Sequence, residues 1–174
     1  MSYAVQRKAS DVYLDSFKEI LKKHSMHFLS LEVSDEEKDT QEATDMIIKI
    51  EGGDVALRVR DASKPYRDLT IRSRSSNGGR TEIDKIREGF GDWYLYGWGN
   101  GGYVKEYILV DLDKVREFNL LDSRKEIQNY DGRTKFINIE IGELQMCGCL
   151  VAQNLSETTQ AKVNNYIKNK LRKI

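Results

Sequence analysis

The 174-residue chain has only two cysteines, Cys147 and Cys149, too few for the disulfide framework of a small secreted domain. No apolar run approaches ~18 residues, so no membrane-spanning helix is expected. The opening MSYAVQRKASDVYL lacks the apolar centre of a secretory leader. Together these absences point to the cytoplasm of a host cell and away from a membrane. The chain also lacks an excess of either charge: Lys+Arg and Asp+Glu are both 28. Net charge alone therefore predicts no polyanionic partner, and the distribution of charge has to decide. Repeats, low-complexity tracts and a composition break that would mark a linker are missing too. With 39 % hydrophobic and 32 % charged residues, the expectation is a single domain over 1–174 with a heavily charged surface.

Local patterns supply the elements. Ser10 can cap a first helix over 10–24, with Tyr13, Phe17, Ile20, Leu21 and His24 on one stripe. Leu29, Leu31 and Val33 alternate as a short strand. TDMIIKI and VALRVR flank Gly52-Gly53, which suits a hairpin with a two-residue primed turn. Paired positions then sum to 105, so that Ile50 faces Val55, Ile47 faces Arg58 and Asp45 faces Arg60. Pro65 ends this region, and DLTIRSR reads as a third strand, with Arg72 and Arg74 on one face. Thr81-Glu82-Ile83-Asp84 matches a capping box that opens a helix ended by Gly89. Trp93–Trp98 and Tyr103–Val110 read as strands, and Asp111 caps a helix reaching about Phe118. Residues 119–134 read as loop, KFINIEI and CLVAQ as strands. Ser156 opens a last helix through about 172. The order predicts a mixed α/β or α+β fold on a largely antiparallel central sheet flanked by helices.

Charge is unevenly placed. Arg58 to Arg87 holds nine basic and four acidic residues, so this window is +5 and the remainder is −5. If the strands carrying Arg58, Arg60, Arg72 and Arg74 are neighbours, four guanidinium groups project together, a fit for phosphate oxygens. Next to this window, residues 90–103 hold six aromatics broken up by glycines. Alternation sets Trp93, Leu95 and Gly97 against Tyr94, Tyr96 and Trp98. Both faces are apolar, as in a central strand covered on each side, so most of these rings are core. Trp98 and Tyr103, beside the Gly-rich turn, are the rings expected to be exposed and able to stack on a base. Cys147-x-Cys149 and His24-x-x-His27 lack the spacing of a zinc knuckle, and Asp111 and Asp113 read as helix cap.

The run TDMIIKI…VALRVR…DLTIRS…GGRTEIDKIREGFGDWYLYGW…YILVDLDKVREF, about residues 40–120, resembles the core of the restriction-endonuclease-like, or PD-(D/E)XK, superfamily. It looks specifically like small divergent members carried by phages and mobile elements. The resemblance implies a nuclease core in which Asp45 matches the aspartate at the head of the first strand. Arg58 and Arg60 stand in the places of the acid and lysine of the next. Arginine cannot ligate a metal, so the second acid must come from elsewhere, and Glu82 at the helix start is the candidate. On this reading Asp45 and Glu82 hold Mg²⁺ or Mn²⁺. Lys85 or Arg60 stabilises transition-state charge, and Arg58, Arg72, Arg74, Arg80, Trp98 and Tyr103 bind the nucleic acid.

Three functions stay open. The first is a metal-dependent nuclease acting on DNA or structured RNA. By analogy with mobile elements it would serve counter-defence, for example as an anti-CRISPR that damages the guide RNA of a CRISPR effector. The second is a catalytically inactive nuclease-fold binder that grips nucleic acid or a nucleoprotein. The third is an inhibitor whose basic face meets an acidic protein partner. The bland alternative is that Asp45 pairs with Arg60, and Glu82 with Lys85 or Arg80.

Overall fold

The computed structural model describes residues 11–24, 31–33, 46–48, 53–75, 78–122 and 124–173. In chain order these form α1 (Leu14–His24), β1 (Leu31–Val33), β2 (Met46–Ile48), β3 (Asp54–Asp61), β4 (Asp68–Arg74), α2 (Glu82–Arg87) and β5 (Trp93–Asn100). They continue as β6 (Tyr103–Asp111), α3 (Leu112–Glu117), β7 (Ile127–Gln128), β8 (Lys135–Glu140), α4 (Ile141–Met146), β9 (Leu150–Asn154) and α5 (Glu157–Leu171). The fold is α+β. A six-stranded mixed sheet runs β1-β2-β3-β5-β6-β9, and a three-stranded sheet runs β4-β8-β7. Among the described residues every strand pair is antiparallel except β3 with β5. Among the described residues no helix is long and apolar enough to cross a membrane.

β5 lies between β3 and β6, and its two faces hold the two cores together. Leu95 and the partly buried Trp93 join Val55, Val104, Leu109 and the Phe17, Ile20 and Leu21 stripe of α1. Tyr94, Tyr96 and Trp98 face the other way, into a cluster with Leu69, Ile71, Ile83, Ile86, Ile137, Ile139 and Leu144. The rings meet edge to face, with centroids 5.8 Å apart for Tyr94–Tyr96 and 5.2 Å for Tyr96–Trp98, an arrangement worth about 0.5–1.5 kcal/mol per pair beyond area burial. The glycines between them serve α1. A Cβ on Gly99 would stand 2.6 Å from the Tyr103 carbonyl oxygen and 2.7 Å from the Tyr13 ring. The turn from β5 to β6 needs Gly101 and Gly102, both at positive φ (60° and 82°), as a primed two-residue turn requires.

One expectation is corrected, and the condition on which four arginines would project together is not met. The β2–β3 pair is antiparallel as expected, but Met46 faces Val55 and Ile47 faces Asp54, so partners sum to 101 and not 105. The slip is an even number of residues, so it preserves which face each side chain of β3 takes. β4 is not a neighbour of β3. It pairs with β8 in the second sheet, and β3 pairs instead with β5 in parallel. A parallel pair needs a long crossover, and residues 62–92, which contain β4 and α2, supply it.

Smaller differences are local. Residues 127–128 form a short strand where loop was expected, and Ile141–Met146 is a helix between the last two strands. Cys147 is the C-terminal cap of that helix, and Cys149 is buried just before β9. The capping expectations at Asp111 and Ser156 hold: their side chains accept from the N–H of Lys114 and Thr159. The starts expected at residues 10 and 27, and Asp45, lie outside the described residues.

Candidate nucleic-acid interface

The parallel register places Arg58 beside Tyr96 and Arg60 beside Trp98, on the face of the six-stranded sheet that the crossover covers. α2 begins over this face. Asp84 accepts from the N–H (2.9 Å) and hydroxyl (2.8 Å) of Thr81, which fixes the first turn. The next residue, Glu82, then points its carboxylate at β3. It accepts from the Arg58 guanidinium, from the Tyr94 hydroxyl at 3.1 Å and from the Arg72 N–H at 2.8 Å. β4 is an edge strand, and Glu82 satisfies an N–H that the ladder leaves unpaired. One carboxylate thus ties β3, β4, β5 and α2 together.

A second junction lies one step along β3. Arg60 donates from Nε to the Tyr96 hydroxyl at 2.8 Å and from its terminal nitrogen to Thr70 Oγ1, and the two hydroxyls are 2.5 Å apart. The side chains of Arg58 and Glu82 are only 20 % and 22 % exposed. Burial pushes the Glu82 carboxyl up, but the Arg58 charge and the Arg72 N–H outweigh it and hold the group below its ordinary value. Burial likewise opposes the Arg58 charge, and Glu82 more than restores it, so its proton is held even more firmly than usual.

The remaining predicted residues are dispersed. Arg72 and Arg74 are exposed on β4, so the four arginines divide into an inner pair and an outer pair. Arg80 pairs with Glu88 and lies over the Phe90 ring. Lys85 is 8 % exposed, on the buried side of α2 with Ile83 and Ile86. Trp98, expected at the surface, is 1 % exposed and covered by Arg67, whose guanidinium lies 5.5 Å from the ring. Tyr103 is 65 % exposed, as expected.

Sequence reading missed Tyr94, Tyr96 and Thr70 as polar partners, and a second buried acid, Glu106. Glu106 accepts from Arg67, from the Ser156 N–H at 2.8 Å and from Thr159 Oγ1 at 2.9 Å. It thereby fastens the start of α5 to β6 and borders an open pocket of about 520 Å³ whose lining includes Ala62, Arg67, Asn100, Lys105, Asn154 and Leu155. No signal in the sequence marked Glu106. No protein-family model matches the chain, and comparison with curated proteins gives no match.

Proposed function

We propose that this chain binds nucleic acid without cutting it, as a catalytically inactive relative of the restriction-endonuclease-like core. The observation that carries this reading is the Arg58–Glu82 pair. The acid that stands in for the lost ligand faces the arginine that replaced it. Mg²⁺ or Mn²⁺ does not fit Glu82 so held: among the described residues its partners are all donors, and Arg58 brings the positive charge a cation would bring. The outer arginines, Arg72 and Arg74, remain exposed for phosphate. Such a binder serves the same counter-defence role by occupying a nucleoprotein, such as a CRISPR effector, and not by damaging its guide.

One observation favours the nuclease reading. Lys85 is buried three residues along α2 from Glu82, and buried ionisable groups of opposite charge cluster at active sites. Labelled DNA and RNA incubated with the protein in Mg²⁺, Mn²⁺ or EDTA separate the two. Salt-sensitive binding that persists in EDTA, with the probe intact, is expected. Cleavage in Mn²⁺ that Glu82→Ala abolishes would establish the nuclease and end the inactive-binder reading.

A further inference from the structure

Beside the outer arginines, the three-stranded sheet carries a hairpin, β7–β8, that neither reading uses. Arg72, Phe136 and Ile127 stand in register across β4, β8 and β7, with Arg74 and Lys135 paired at the next position. Beyond Lys135 the β7–β8 hairpin runs into a tip, residues 129–134, held by its own bonds. The Asn129 N–H donates to the Thr134 carbonyl at 2.9 Å, and the Gly132 N–H to the Asn129 carbonyl at 3.0 Å. Asp131 accepts from the N–H groups of Arg133 and Thr134 and from the Thr134 hydroxyl, at 2.7–2.9 Å. This built turn presents Tyr130 fully to water. The neighbouring acids are spoken for: Asp131 by the turn, Glu126 by Lys135 at 3.1 Å. Arg72, Arg74 and Arg133 are exposed; among the described residues none forms a direct salt bridge, and each lies in the field of one acid, Glu82, Glu126 and Asp131 respectively.

We infer that the β7–β8 hairpin is a finger for unpaired nucleic acid, in which Tyr130 stacks on a base and Arg133, Arg74 and Arg72 take the adjoining phosphates. The inference rests on the nucleic-acid reading above and names its substrate class. A ring at a hairpin tip meets a base face only where that face is not already stacked within a duplex, so the occupant is single-stranded. A preorganised tip also orders little of the protein on binding.

The test is anisotropy with a labelled oligothymidylate or oligouridylate of about 15 nucleotides and with a blunt duplex of equal length. The single strands should bind more tightly than the duplex. Tyr130→Ala should lower single-strand affinity roughly five- to thirtyfold, Tyr130→Phe should restore it, and duplex affinity should stay unchanged. Arg133→Ala should flatten the slope of log affinity against log salt by about 0.7. Tyr130 has no packing to lose, so its variants test the finger and not the fold. If Tyr130→Ala binds as wild type while Arg72→Ala weakens binding, the finger is wrong and the nucleic-acid reading stands. If the wild type binds no probe, both fall.

Discussion

Arg58, in the middle of β3, donates into the carboxylate of Glu82, the first residue of α2, from 24 positions away in sequence. The pair crosses the boundary between the six-stranded sheet and the layer that covers it. Its surroundings make it more than a surface ion pair: each side chain is about four-fifths buried, and Glu82 also receives Tyr94 and Arg72. In such a site the arrangement matters more than the count of charges. Desolvation works against both members, and the mutual attraction offsets it only while every donor has its acceptor.

Removing one member should therefore cost more than removing all. Glu82→Leu leaves Arg58 and Tyr94 facing a gap and should destabilise the fold by about 2–4 kcal/mol. Arg58→Met, Glu82→Leu and Tyr94→Phe together remove the side-chain polar groups, leaving only the Arg72 N–H without its acceptor, and should cost less than Glu82→Leu alone. Urea midpoints at constant m-value check this. Strictly additive losses would show that the three side chains do not act as a unit.

Glu106 predicts the acid limb of stability. Burial opposes its charge, but Ser156, Arg67 and Thr159 all donate to it and bring its pKa down from 4.5 to about 2. A carboxyl depressed in the folded state stabilises fully above pH 4.5, and its contribution disappears as pH falls towards 2. The window is thus pH 2–4.5, and the amount is on the order of 3 kcal/mol. Glu106→Gln should lower stability at neutral pH and flatten the pH dependence within that window, read by urea unfolding at a series of pH values. An unchanged slope would show that Glu106 is not a source of the acid sensitivity.

What the sequence disclosed and what it concealed have one physical cause. Alternation is local, so the two faces of β5 and the faces of β3 could be read directly, and caps at Thr81, Asp111 and Ser156 announced their helices. Strand neighbours are not local. Nothing in DLTIRSR says that it leaves β3 for a second sheet, so Arg72 and Arg74 were grouped with Arg58 and Arg60. The parallel β3–β5 partnership, which sets Arg58 beside Tyr96, escaped for the same reason. Trp98 looked exposed because it adjoins a glycine turn. What buries it is Arg67, a residue in the approach to β4, together with the second sheet. The β2–β3 register slipped because apolar residues alternate on both strands, and an even shift satisfies the pattern equally well.

Gly99 is a tight point between Tyr13, just before α1, and the β5–β6 strand pair. Gly99→Ala places a methyl 2.6 Å from a backbone oxygen, which cannot rotate away, and against the Tyr13 ring. Overpacking of this kind costs about 1–3 kcal/mol, or roughly 2–10 °C in Tm for a chain of this size. Gly97→Ala meets only side chains, a Val104 methyl at 2.7 Å and the Phe17 ring at 3.3 Å, and should cost less. Thermal melts of the two variants compare them. The reverse order would mean that the β5–β6 turn gives way more easily than the Val104 and Phe17 side chains.

The outer arginines test the proposed function with the least disturbance to the fold. Arg72 contributes its backbone N–H to Glu82, and that bond survives truncation of the side chain. Arg72→Ala and Arg74→Ala should fold as wild type, weaken nucleic-acid binding, and each reduce the salt slope by about 0.7 on single strands. Arg58→Ala and Arg60→Ala behave differently on this account. Their guanidinium groups are committed inside the protein, so their loss should lower stability first and leave the salt slope unchanged in whatever fraction remains folded. Phosphate contact by all four would instead give equal slope changes at all four positions. That result would mean the inner pair opens to the ligand, with Glu82 released in the process.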